Sequence, residues 1–89
     1  MVQNSIAAIL EIREFVASGG DVDDPDLRRT ATAAVAEIRD SVDRGLLLAQ
    51  MEAHIAAIMI EETYGSRAEA ARNAFLSMLD EIELALRRR

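Results

Sequence analysis

Residues 46–60 read LLLAQMEAHIAAIMI, and the fold turns on how this stretch is laid on a helix. It is apolar on nearly every side, interrupted only by Gln50, Glu52 and His54, while the residues around it are mixed. Upstream, no stop signal follows Pro25 until Tyr64-Gly65-Ser66. Across that span Val35, Ile38, Val42, Leu46, Ala49, Ala53, Ala56, Ile60 and Tyr64 step by three or four residues without losing phase. Their mean spacing of about 3.6 is the period of a straight α-helix. The spacing therefore predicts one helix over residues 25–64, about 58 Å long at 1.5 Å per residue. Gly45 lies inside it and costs about 1 kcal/mol relative to alanine. A break at Arg44-Gly45, giving four helices, is the alternative.

Shorter helices flank the long one. Ile6, Ile9, Leu10, Arg13 and Val16 fall at helical spacing, with Ile12 and Phe15 widening the apolar face, and predict a helix over 4–17. Asn4 or Ser5 can cap its start, and Ser18-Gly19-Gly20 ends it, because glycine readily adopts the left-handed backbone of a helix terminus. Asp21-Val22-Asp23-Asp24 is an acidic connector. Asp24-Pro25-Asp26 is a start signal: a capping carboxylate, a proline suited to the first helical position, then a second acid at the positive end of the dipole. Ser66-Arg67-Ala68-Glu69 has the reciprocal capping pattern S-x-x-E. It opens a last helix over 67–88, striped by Ala68, Ala71, Phe75, Met78, Leu79, Ile82 and Leu86. No run alternates with period 2, so no strand is expected.

The fold class is thus all-α: a single helical domain over residues 1–89, in a three-helix antiparallel arrangement with a long central helix. Beyond Gly45 that helix carries a second apolar stripe, Leu47, Leu48, Met51, Ile55, Ile58 and Met59. One covering helix hides one stripe, and a monomer rarely leaves a large apolar patch in water. The second stripe, with Phe75, Met78 and Ile82 of the last helix, is therefore the expected interface, completing a four-helix-type core by homodimerisation. The competing reading is a bent three-helix bundle that buries both stripes itself.

Composition narrows function more by exclusion than by assignment. Among 89 residues there is no Cys, no Trp and one Pro, and the formal net charge is -6. Disulfides and thiolate metal sites are excluded. An acidic chain is a poor match for phosphate, so no direct nucleic-acid contact is expected. The opening residues lack a basic region before an apolar run, and the longest apolar stretch is too short to span a bilayer. A soluble, cytoplasmic protein with no membrane partner is the expectation.

Few residues invite chemistry. His54 is the only histidine, with Gln50, Ile58 and Glu61 on roughly the same face. Glu52, Glu61 and Glu62, with Glu11 and Glu14, raise a carboxylate-bridged metal bundle, but such bundles pair Glu and His three residues apart. Here Glu52-Ala53-His54 are two apart, about 200° around a helix. Asp21, Asp23, Asp24 and Asp26 miss the EF-hand spacing, since the sixth and twelfth positions counted from Asp21 are Asp26 and Thr32. Arg87-Arg88-Arg89 complements the negative end of the last helix. No catalytic, cofactor or metal residue is expected, and no cofactor. The sequence points to a non-catalytic interaction or assembly module that binds itself and another protein. The alternative is an acidic inhibitor occupying a basic nucleic-acid-binding surface of a partner protein. A metal-dependent bundle enzyme is a third possibility.

Overall fold

Local hydrogen bonding sets the boundaries of each element. The computed structural model describes residues 2–88 and contains four helices there: α1 (Val2–Ala17), α2 (Pro25–Val35), α3 (Ser41–Tyr64) and α4 (Ala68–Arg87). α1 begins before Asn4 and Ser5, so neither caps it, and Ser5 is buried within it. Its end follows the glycine signal. Gly20 N–H donates to Phe15 O at 2.8 Å and Gly19 N–H to Val16 O at 3.1 Å, with Gly19 at φ +90°. This is the paired closure that left-handed glycine permits. Asp24 caps α2, its carboxylate accepting from Asp26 N–H at 2.9 Å, with Pro25 at the first helical position. Between these two signals Val22 is fully buried and plugs the connector into the core.

The single helix expected over 25–64 is two helices, and the break lies at neither Gly45 nor Arg44. The chain leaves α2 through tight turns, with Glu37 N–H donating to Ala34 O and Ile38 N–H to Val35 O. Asp40 then starts α3 afresh, its carboxylate accepting from Val42 N–H and Asp43 N–H, both at 2.9 Å. The Arg44 guanidinium donates to the freed Ile38 carbonyl at 2.9 Å, which keeps the corner satisfied. The apolar series crosses this break in number but not in space. Val35 and Ile38 face the core, whereas Val42 and Leu46 are exposed. Gly45 sits inside α3 with open space around its α-carbon.

The α3–α4 turn also closes differently from its sequence pattern. Gly65 is extended (φ -108°, ψ -170°) rather than left-handed, and its N–H donates to Glu61 O. α4 starts at Ala68 with no side-chain cap. The Glu61 carboxylate, reaching over from α3, accepts from Arg67 N–H at 3.0 Å and so meets an amide at the start of α4.

With a corner at residues 36–40 the molecule is not a long rod but a body of 40 × 23 × 20 Å. α4 lies between α1 and α3, and α2 packs on α1 and more lightly on α3, closing a ring of four around one core. Arg13 with Asp80, and Arg88 with Asp43, set α4 antiparallel to both of its neighbours. The expected α4 stripe holds, since Phe75, Met78, Leu79, Ile82 and Leu86 are buried. Opposite them lie Ile9, Ile12 and Val16 of α1, with the small residues Ala31 and Ala34 letting α2 approach. Arg72 knots three segments. Its guanidinium donates to Val16 O and Gly20 O, at 3.1 and 2.8 Å, and faces Glu62 at 3.3 Å.

Candidate interaction surface

α3 has two apolar stripes, and the chain's own core takes the one that sequence reasoning assigned to a partner. Leu47, Met51, Ile55 and Ile58 are buried inside this chain, as are Phe75, Met78 and Ile82. Leu48 is half-buried against the same core. Of the nine residues expected at an interface, Met59 alone is exposed, and only partly. The other stripe faces water. Measured from Ala53 at 100° per residue, Val42, Leu46, Ala49, Ala56, Ala57, Ile60 and Tyr64 all project within about 60°. All are exposed, Val42 to 75%, Leu46 to 54%, Ile60 to 57% and Tyr64 to 87%. Leu84 of α4, also 54% exposed, lines a shallow groove with Leu46 and Gln50. The groove continues along α3 and α4 past Ala53, Ala57, Ala74 and Ser77, where small side chains leave about 550 Å³ of open space.

The α3 stripe carries no charge of its own; of the acids beside it, Glu81 lines the groove from α4, and three others are engaged within the chain. Asp43 meets Arg88 at 3.5 Å, Glu52 meets Arg28 at 2.7 Å, and Glu61 holds the Arg67 amide. The guanidinium of Arg28 is raised above its ordinary pKa, first by the hydrogen bond to Glu52 and then by that carboxylate's charge. Arg13 is raised likewise by Asp80. Both are cations at neutral pH in any case, so neither shift changes the charge of the surface there. Val42, Leu46, Ile60, Tyr64 and Leu84 are each more than half exposed, a run of apolar surface of the kind that marks interaction sites.

The residues considered for chemistry are dispersed or otherwise occupied. His54 lies at the edge of the α3–α4 seam, its ring stacked on Phe75 with centroids 6.2 Å apart and 17° between planes. Glu61, its proposed companion, is turned to Arg67. Among the described residues no group of three His, Asp or Glu side chains is close enough to hold a metal ion. The acidic connector is bonded locally: Asp21 accepts from Asp23 N–H, Asp23 meets Arg28, and Asp26 meets Arg29. Arg87 pairs with Glu83 and Arg88 with Asp43, while Arg89 lies outside the described residues. No described helix is long and apolar enough to cross a membrane. No family model, curated protein or solved structure matches the chain.

Proposed function

We propose that the protein is a non-catalytic interaction or assembly module that acts as a homodimer, with the outer face of α3 as its contact surface. One observation carries this reading: an uncharged apolar stripe runs from Val42 to Tyr64, along the length of a helix whose opposite stripe already builds the core. An exposed patch of this kind marks an interaction site more often than it marks nothing. A second copy supplies a matching uncharged stripe. Intrachain arginines partner Asp43 and Glu52 beside it, which softens the repulsion between two chains of formal charge -6.

Sedimentation of the wild type and of Ile60→Asp tests the reading. The wild type should sediment as a dimer and the variant as a monomer, with equal helical circular dichroism, because Ile60 contributes nothing to the core. A wild type that stays monomeric at high concentration, or a variant that remains dimeric, overturns it. Raising the salt should change the dimer's affinity only modestly, since charged groups lie at the rim of the stripe and not within it. The inhibitor reading requires the opposite, steep loss of binding with salt. It has weaker support, because Asp21, Asp23 and Asp26 are already engaged with their own neighbours.

A further inference from the structure

We infer that the second copy lays its α3 antiparallel on the first, with Ala53 facing the partner's Ala53 across a twofold axis. This rests on the homodimer reading and adds its register. The middle of the outer stripe is symmetric in side-chain size about Ala53, with a small valine at one end and a large tyrosine at the other. Leu46 lies seven residues before it and Ile60 seven after, Val42 eleven before and Tyr64 eleven after, Ala49 four before and Ala57 four after. In an antiparallel pair centred there, Leu46 meets the partner's Ile60 and Val42 meets the partner's Tyr64. The alanines come together in the middle, where their small size lets the helix axes approach closely. A twofold contact is self-complementary, so a stripe whose middle, from Leu46 to Ile60, presents matching ends suits it.

Charge has to be accommodated in this arrangement, with Glu81 of each copy near the axis and a second pair of acids further out. At 100° per residue Asp43 and Glu61 project from the same flank of α3. The antiparallel register brings Asp43 beside the partner's Glu61, two carboxylates that would repel. Arg88 is already on Asp43 at 3.5 Å, and its side chain is largely exposed. It therefore stands between the two acids and can serve both. The α3 dipoles also oppose one another, whereas a parallel pair would align them.

The absence of cysteine makes the register directly readable. Ala53→Cys lies on the axis and should form a disulfide-linked dimer on mild oxidation. Leu46→Cys should not link to itself, because the two sites stand about 21 Å apart along the helices, beyond any disulfide. Leu46→Cys mixed with Ile60→Cys should cross-link to each other. If Leu46→Cys links to itself as fast as Ala53→Cys, or if Ala53→Cys fails to link although sedimentation finds a dimer, this register is wrong while the homodimer stands. Absence of any dimer in sedimentation removes the homodimer itself. Arg88→Glu, which leaves the core untouched, should weaken the dimer several-fold with unchanged helical content. An unchanged dimer dissociation constant would remove Arg88 from the contact and overturn the register.

Discussion

The two faces of α3 are both apolar and differ in bulk. The inner face presents Leu47, Met51, Ile55 and Ile58, whereas the outer face has Val42 and Leu46, then alanine at 49, 53, 56 and 57, and regains size only at Ile60. Burying a large aliphatic side chain is worth about 1.5–3 kcal/mol, and an alanine offers much less area to remove from water. When only one stripe can be covered by the same chain, the bulkier one wins. Periodicity identifies a face; side-chain area decides which way it turns.

The most direct way to break this comparison is to truncate one isoleucine on each side. Ile58→Ala should lose about 2–5 kcal/mol of folding stability, the usual cost of a cavity at a fully buried site. Ile60→Ala, two residues on, should lose far less when chemical denaturation is followed under monomeric conditions. Equal losses would mean that the two faces are not inside and outside at all.

The corner that separates α2 from α3 sharpens the comparison, since it frees α3 to turn its bulky face inward. Asp40→Ala removes two hydrogen bonds at the start of α3 and should cost about 1 kcal/mol, read as a lower melting temperature. No change would show that the corner is held by something else. Gly45→Ala should act in the opposite direction and stabilise by up to about 1 kcal/mol, because Gly45 is helical with open space around it. The smallest effect is expected at the α3–α4 turn. A side chain at Gly65 would collide with the Glu61 carboxylate and displace it from Arg67 N–H. Gly65→Val should therefore cost a few tenths of a kcal/mol to about 1 kcal/mol, the range for losing one exposed cap. A larger loss would point to a strained turn rather than a lost cap.

Much of the fold was legible where the deciding interaction is local. Gly19 and Gly20 end α1, and Asp24-Pro25 starts α2, because each signal involves neighbours in the chain. The α4 stripe was legible because one strong period runs through Phe75, Met78, Leu79 and Ile82. The break at residues 36–40 was hidden by an accident of numbering: Val35, Ile38, Val42 and Leu46 keep helical phase across a corner that reverses the direction they face. Asp40-Ser41-Val42-Asp43 does carry a start signal, which the unbroken phase concealed. Ser66-Arg67-Ala68-Glu69 misled in the other direction, since α4 starts one residue later, with Arg67 rather than Ser66 in the capping position. That α3 has two apolar stripes could be read from the sequence. Which of them the chain keeps depends on how much area α2 and α4 can cover, and no local pattern encodes that.

The position of α4 between α1 and α3 bears on how the molecule is made. α1 and α4 are the earliest and latest of the four helices described, yet α1 packs most extensively on α4, which it shares equally with α3. Until α4 has left the ribosome, Ile9, Ile12 and Val16 have little beyond α2 to rest on, and the bulky side of α3 has only the light packing of α2 for cover. A nascent chain halted near residue 64 would display both stripes of α3 at once, a target for chaperones and proteases. The finished protein withdraws one of them only when its last helix slides into place.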